Sequence, residues 1–205
     1  MPTASRADIV SFTPNEVAIL ADVTPRTVRK AIEEGVLRAG IAQLPAFGRD
    51  RRQTLGAEAV VYLTTMREID LPLPVETKRR IAERLRTRPS GKLTGQLPVR
   101  GALTLDLGRL APKIREAAGR AARYRRDRDR WIVRDPEILG GIPVIKGTRI
   151  SVYAVLGRIE GRDTLDDIAE ENDDVPRKAL EAAVVYARAN PFRGRPGGRP
   201  WRKES

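Results

Sequence analysis

The sequence is first informative through what it lacks. None of its 205 residues is cysteine or histidine. Without cysteine the chain can form neither disulfides nor thiolate metal sites, and without both residue types the usual zinc ligands are missing. The lack of histidine also removes the commonest general base of enzymes. We therefore expect a protein that is not an enzyme and that needs no cofactor or metal.

Long apolar stretches are missing too. No run of about 18 apolar residues is present, so no membrane-spanning helix and no membrane partner are expected. The first residues do not follow the basic-then-apolar order of a secretory signal. We therefore expect a soluble, cytoplasmic protein. Its length is sufficient for one or two domains with substantial cores.

What the chain has in excess is positive charge, with a formal net charge of +12. The charge is unevenly placed: +4 in residues 1–88, +7 in 89–130, −3 in 131–190 and +4 in 191–205. A strongly basic chain favours polyanionic partners such as nucleic acid. Because residues 131–190 lean acidic, we expect that segment to mediate assembly and the DNA contacts to lie upstream.

The clearest helix signals lie near the amino terminus. Thr13-Pro14-Asn15-Glu16 has the order of a capping box with proline in the first turn. An apolar helical face follows it, formed by Val17, Ile19 and Leu20. After the turn Ala21-Asp22-Val23, Thr24-Pro25 begins a second helix, which Gly35 ends. Two short helices joined by a three-residue turn predict a helix-turn-helix.

The second of these helices has a basic outer side. The residues that we expect to contact bases or phosphates in the major groove are Thr24, Arg26, Thr27, Arg29 and Lys30. The later segment Gly48-Arg49-Asp50-Arg51-Arg52 lies where winged domains place a hairpin wing, so Arg49, Arg51 and Arg52 would meet nearby phosphates or the minor groove. A solvated charged surface is the alternative for both segments. Residues 12–37 resemble the first half of MerR-type and excisionase-type winged domains, although Asp22 stands where those proteins usually have glycine.

The strongest linker signal is Pro89-Ser90-Gly91, which predicts that the DNA-binding domain comprises residues 1–88. Residues 89–130 are predicted to be a basic connector with a β-hairpin, followed by a long helix from about residue 111 to 128. The arginines of that helix could follow DNA or could form a solvated face; they are Arg120, Arg123, Arg125, Arg126, Arg128 and Arg130.

The segment 140–150 reads Gly-Gly-Ile-Pro-Val-Ile-Lys-Gly-Thr-Arg-Ile. It predicts a short buried strand, a turn at Lys146-Gly147-Thr148 and a second short strand. The turn is not a Walker phosphate loop, because its lysine and glycine stand in the opposite order. Together with the preceding Asp135-Pro136-Glu137-Ile138-Leu139, the segment resembles the bacterial family of unknown function numbered 433, over residues 131–191. The resemblance implies a small helical, helix-turn-helix-like domain, and many members of that family are antitoxins.

Periodic apolar positions predict three helices in this domain, at about residues 152–159, 165–168 and 180–187. Several carboxylates between residues 163 and 174 could in principle hold a metal ion. Their spread over turns and helix ends instead favours helix caps and solvated charge.

The final segment, residues 191–205, has too few apolar residues to form a core, so a disordered tail is predicted. Its regular arginines and two aromatic residues indicate a segment that folds onto a protein partner, with minor-groove binding or an idle tail as alternatives. The predicted contact residues are Phe192, Arg193, Arg195, Arg199, Trp201 and Arg202.

Together these parts resemble VapB-type antitoxins that have a MerR-like amino-terminal domain. The resemblance implies two partners, a PIN-like ribonuclease toxin and operator DNA, and a homodimer or higher oligomer. A tail arginine would pair with the carboxylates of the toxin's metal site. The alternative is a stand-alone MerR-like transcriptional regulator. The expected fold is mainly α, with a winged helix-turn-helix, short β elements, a small carboxy-terminal helical domain and a disordered basic tail.

Overall fold

The structure is a computed structural model that describes residues 12–87, 96–100 and 103–192. Over these ranges the chain is mainly helical, with three two-stranded antiparallel sheets. The helices are α1 (Pro14–Ala21), α2 (Pro25–Glu33), α3 (Ala57–Ile69), α4 (Val75–Thr87), α5 (Leu107–Trp131), α6 (Val152–Glu160), α7 (Leu165–Glu170) and α8 (Arg177–Ala189). The strands are β1 (Gly40–Gln43), β2 (Arg51–Thr54), β3 (Gln96–Arg100), β4 (Leu103–Asp106), β5 (Ile132–Val133) and β6 (Val144–Ile145). None of the described helices is long and apolar enough to cross a membrane.

The capping signals of the first two helices are confirmed. The amide of Glu16 donates to the Thr13 hydroxyl (3.3 Å), and the amide of Thr13 donates to the Glu16 carboxylate (2.7 Å). Asp22 takes the left-handed conformation (φ 55°) that reverses the chain between α1 and α2. The predicted apolar face was wrong at Ile19, which is 39% exposed. At 100° per residue Ile19 turns away from Val17, and small alanines of α1 fill the buried side instead.

The amino-terminal core lies between α1, α2, α3, α4 and one side of α5. Its largest buried side chains include Phe12 before α1, Leu63 of α3 and Ile81 of α4. Ile114 and Tyr124 of α5 belong to the same buried cluster. The long helix therefore completes this core as well as connecting it to the rest of the chain.

The predicted hairpin after α2 is present as β1 and β2, with Gly40 opposite Thr54 and Gln43 opposite Arg51. The second predicted hairpin is also present, as the antiparallel pair β3 and β4. A 3-10 turn, Pro45–Phe47, joins β1 to β2. This turn does not lie in solvent, because Ala46 and Phe47 are buried in the core of the carboxy-terminal domain.

The carboxy-terminal core packs the pair β5–β6 against α6, α7 and α8. The expected buried strand is β6, and the turn follows it, with the Thr148 hydroxyl donating to the carbonyl of Ile145 (2.9 Å). The second expected strand is reduced to one bridge between Val144 and Ser151. The strand goes no further because Ser151 is already the N-cap of α6.

Candidate functional site

Helix α2 presents its cationic side to solvent. All five of the predicted DNA-contact residues on it are exposed: Thr24, Arg26, Thr27, Arg29 and Lys30. Thr24 is the N-cap and accepts from the amide of Thr27. Within the described part of the chain, Arg26 and Arg29 have no hydrogen-bond or ion-pair partner, whereas Lys30 lies 3.8 Å from Glu34. Two free guanidinium groups on one short helix are suited to contacts with bases or phosphates.

Two arginines of neighbouring helices fix α2 at both ends. Arg67 at the end of α3 donates to the carbonyl of Ala21 and to the carboxylate of Asp22, both at 2.9 Å, in the turn before α2. Arg79 of α4 donates twice to the carbonyl of Glu34, at 3.0 and 2.6 Å. This carbonyl lies at the end of α2, where helix carbonyls lack intrahelical partners. No local sequence pattern indicates these contacts, because they join residues 45 or 46 positions apart.

The hairpin arginines divide into two kinds. Arg49 and Arg51 are exposed, and among the described residues neither has an ion-pair partner. Arg52 is exposed as well, but it pairs with Asp50 (3.2 Å) and lies 5.5 Å from the ring centre of Phe47. Arg49 and Arg51 are therefore the hairpin residues most available to a polyanion.

The tip of the hairpin is anchored in the carboxy-terminal domain. The Tyr186 hydroxyl of α8 donates to the carbonyl of Ala46 (3.0 Å), and the Tyr186 and Phe47 rings lie 5.1 Å apart. Burial raises the pKa of Tyr186, which keeps the phenol neutral and able to donate. A second contact joins the two ends of the described chain: the side-chain amide of Asn15 in α1 donates to the carbonyl of Ala189 in α8. The β1–β2 hairpin and α1, the helix that precedes α2, therefore both contact the carboxy-terminal domain.

The basic helix α5 differs from the sequence-based expectation at Arg128. This side chain is 1% exposed and forms an ion pair with Glu16 (2.9 Å), which is fully buried. The Glu16 carboxylate also accepts from the Tyr124 hydroxyl (2.5 Å) and from the amide of Thr13. Arg128 can therefore neither follow DNA nor belong to a solvated face.

Burial and charge act on this cluster in opposite directions. Burial alone lowers the pKa of Arg128, but the negative charge of Glu16 and contacts with Tyr124 and Asp129 raise it above its ordinary value. Burial and the neighbouring Glu16 raise the pKa of Tyr124 well above its usual range. Arg128 therefore stays charged and Tyr124 stays neutral over the physiological pH range.

Several other arginines of α5 also have partners within the protein. Arg120 pairs with Glu116 and Arg126 with Asp127. The guanidinium of Arg130 lies 5.0 Å from the ring centre of Trp131. Arg123 is exposed. Most of the charge on this helix thus serves internal contacts.

The glycine-rich segment forms a left-handed turn beside a groove. Leu139, Gly140 and Gly141 have φ angles of 48°, 64° and 79°. Arg134 donates from its Nε to the carbonyl of Gly141 (2.9 Å) and so braces the turn. The groove has a volume of about 650 Å³, and Phe192, the last described residue, lines it.

The start of the tail is fixed at this groove. The Phe192 ring meets Tyr153 of α6 edge-on at 5.2 Å, and the Tyr153 hydroxyl donates to the carbonyl of Asn190 (2.9 Å). Phe192 remains 58% exposed. The other predicted toxin-contact residues lie outside the described residues: Arg193, Arg195, Arg199, Trp201 and Arg202.

Several of the acidic side chains around α7 have partners within the protein. Asp163 and Glu171 both pair with Arg158, and Asp166 pairs with Arg177. Asp167 closes a capping box with Thr164, and hydrogen bonds from Thr164 lower its pKa. No group of three or more acidic residues in the described ranges could hold a metal ion.

Comparison with known proteins identifies one part of the chain. Residues 132–187 match the family described as "Protein of unknown function (DUF433)", so the chain contains a DUF433 domain there. The chain is 29% identical over 196 residues to uncharacterized protein y4eO of Sinorhizobium fredii (strain NBRC 101917 / NGR234), covering 88% of this chain and 82% of that protein. Among solved structures it is similar to Rv2018 from Mycobacterium tuberculosis, with 14% identity, a TM-score of 0.33, and coverage of 86% of this chain and 98% of that chain. Neither name states an activity, so function must be argued from the surfaces above.

Proposed function

We propose that this DUF433-containing protein is the antitoxin of a type II toxin–antitoxin pair. In this proposal it binds operator DNA through α2 and the β1–β2 hairpin, represses its own operon, and inhibits a PIN-like ribonuclease through residues 192–205. The inhibition is stoichiometric, and the protein is not an enzyme. The observation that carries the proposal is the surface of α2, whose free arginines are exposed while both helix ends are held in place.

The geometry and the charge of α2 and the hairpin both support operator binding. A helix that recognises DNA bases must be held rigidly while its outer side chains stay free. Arg67 and Arg79 hold the ends of α2, and its outer arginines have no partner among the described residues. Arg26 and Arg29 supply the planar donors that guanine accepts in the major groove. Arg49 and Arg51 on the hairpin supply further contacts to phosphates.

The composition of the tail and the position at which it begins both support inhibition of a nuclease. The tail carries five basic residues against one acidic residue over 191–205, and it includes Trp201. A guanidinium group can pair with a carboxylate through two parallel hydrogen bonds, so an arginine entering a carboxylate metal site would compete with the metal ion. Phe192 holds the start of the tail against Tyr153, which limits where the bound nuclease can lie.

We also propose a symmetric oligomer assembled through residues 131–190, because operators read by small helix-turn-helix domains usually match a two-fold axis of the protein. Sedimentation of the full-length protein should show a dimer or a larger species. A monomer at high protein concentration would argue against this part of the proposal.

The test of the whole proposal is to express the protein together with the product of the adjacent gene and to delete residues 193–205. The truncated protein should lose inhibition of ribonuclease activity, yet bind a duplex from its own promoter region as tightly as the full-length chain. Arginine-to-lysine changes at 195 and 199 should also weaken inhibition, because lysine lacks the planar fork. If the truncated chain still inhibits at one-to-one stoichiometry, the tail mechanism is wrong. If promoter DNA is bound and no nuclease partner exists, the protein is a stand-alone regulator.

A further inference from the structure

The turn at Leu139-Gly140-Gly141 combines backbone strain with exposure of an apolar side chain. Glycine tolerates positive φ, and Gly140 and Gly141 occupy such positions at little cost. Leucine does not, yet Leu139 has a φ of 48° and is 41% exposed. A strained residue that contributes little to the core is unusual, and such strain occurs preferentially at binding sites.

The strained leucine lies on the edge of the groove that Phe192 also lines. Tyr153 and Phe192 supply its accessible aromatic surface, and the groove has about 650 Å³ of space. No side chain crowds the turn itself, since a Cβ atom added at Gly140 would meet nothing within 4 Å. Leu139 and Phe192, both substantially exposed, thus line one depression together with polar and charged side chains.

The charges around the depression are mainly positive. Arg52 and Arg134 line it, and Arg49 lines the adjoining groove. The carboxylate of Asp50 lies 3.2 Å from Arg52 and 3.8 Å from Arg134, which leaves the local balance at three cations to one anion. An occupant that combines an apolar side chain with carboxylates would be complementary to this surface.

We infer that the groove docks the body of the nuclease, receiving an acidic segment that also carries an apolar side chain next to Leu139. The inference rests on the proposed function and extends it, because it assigns a second contact besides the tail. The starting point of the tail favours this occupant. Phe192 lines the groove, and the 13 residues that follow it span at most about 45 Å, so a nuclease bound by them is held within reach of the groove. Two linked contacts would also bind more tightly than either alone.

A crosslinking experiment tests the inference. A photoreactive phenylalanine analogue is placed at position 139, at position 192, or at position 71 in full-length protein co-produced with the adjacent gene's nuclease. Leu71 is the matched control, since it is 52% exposed in the segment between α3 and α4 and lies outside this groove. Positions 139 and 192 should crosslink to the nuclease, and position 71 should not.

The outcomes separate this inference from the proposed function. Capture of the nuclease at 192 but not at 139, or crosslinking of 139 to a second copy of this chain, overturns the groove assignment and leaves the proposed function intact. If neither 139 nor 192 captures a nuclease, and deletion of residues 193–205 changes no inhibition, the proposed function fails as well.

A substitution distinguishes binding from a structural role. Leu139→Gly removes the conformational strain and the exposed side chain together. The melting temperature should stay the same or rise, while the affinity for the nuclease falls at least tenfold. Leu71→Gly should leave that affinity unchanged. An unaltered affinity for Leu139→Gly, in a protein of wild-type stability, contradicts the inference.

Discussion

Helices α2 and α5 are both rich in arginine, but the structure uses their charges differently. On α2, Arg26 and Arg29 point into solvent and have no partner among the described residues. On α5, Arg128 is buried against Glu16, and Arg120 and Arg126 pair with neighbouring carboxylates. The number of positive charges therefore does not identify a nucleic-acid surface. Free arginines occur on both helices, since Arg115 and Arg123 of α5 are also exposed and have no partner among the described residues. What distinguishes α2 is that arginines of neighbouring helices hold both of its ends.

The largest expected effect is on stability, and it distinguishes the buried arginine of α5 from a surface arginine of the same helix. Arg128→Ala leaves the Glu16 carboxylate buried without its counterion, which typically costs about 3–5 kcal/mol of unfolding free energy. Arg126→Ala removes a surface pair and should change stability by less than about 0.5 kcal/mol. Urea unfolding followed by circular dichroism measures both values. Equal small effects would show that the buried pair does not stabilise the fold.

Alkaline pH should disrupt the packing around α5 and α8. Burial raises the pKa of Tyr62, Tyr124, Tyr153 and Tyr186. A group whose pKa is higher in the folded state contributes stability below its unfolded pKa, about 10 for tyrosine, and loses that contribution as pH rises through the folded value. Phenolate absorbance and helical circular dichroism should therefore change together above about pH 10. Independent ionisation near pH 10 with the helices intact would contradict this account.

The contacts at the ends of α2 should have a smaller effect. Arg79→Lys cannot reproduce the paired hydrogen bonds to the carbonyl of Glu34, so we expect a loss of about 1 kcal/mol of stability. The same variant should bind promoter DNA less tightly and show faster amide exchange at the end of α2. The control is Arg80→Lys, because Arg80 is exposed and has no partner within the described ranges. If both variants behave alike, Arg79 does not position α2.

Features set by neighbouring residues could be read from the sequence. The capping box at Thr13, the turn at Asp22 and the hairpin after α2 all depend on a few consecutive residues, and the structure contains them. The hairpin also leaves its candidate residues Arg49, Arg51 and Arg52 exposed to solvent. Local chemistry determines such features, because caps and turns are satisfied within one turn of chain.

Features that depend on distant residues could not be read. Glu16 and Arg128 are 112 positions apart, so the sequence shows a capping residue and one arginine of a basic helix but not that the two side chains pair. Phe47 is buried in the carboxy-terminal core, and Arg79 donates to the end of α2. Both contacts also join residues that are far apart in the chain. The left-handed conformation of Leu139 carries no sequence signal, since leucine rarely adopts it.

The most direct test of the central claim compares two double variants that lose the same net charge. Arg26→Ala/Arg29→Ala removes two free cations from α2, and Arg120→Ala/Arg126→Ala removes two paired cations from α5. Fluorescence anisotropy with a promoter-region duplex, at several salt concentrations, measures the affinity of each protein. For the α2 variant the account predicts a loss of about 1–3 kcal/mol of binding free energy for each arginine that contacts a base. For each arginine that contacts a phosphate, it predicts that the slope of log affinity against log salt concentration becomes shallower by about one. The affinity of the α5 variant should be almost unchanged. Equal losses in the two variants would contradict the account, because binding would then follow net charge and not the surface of α2.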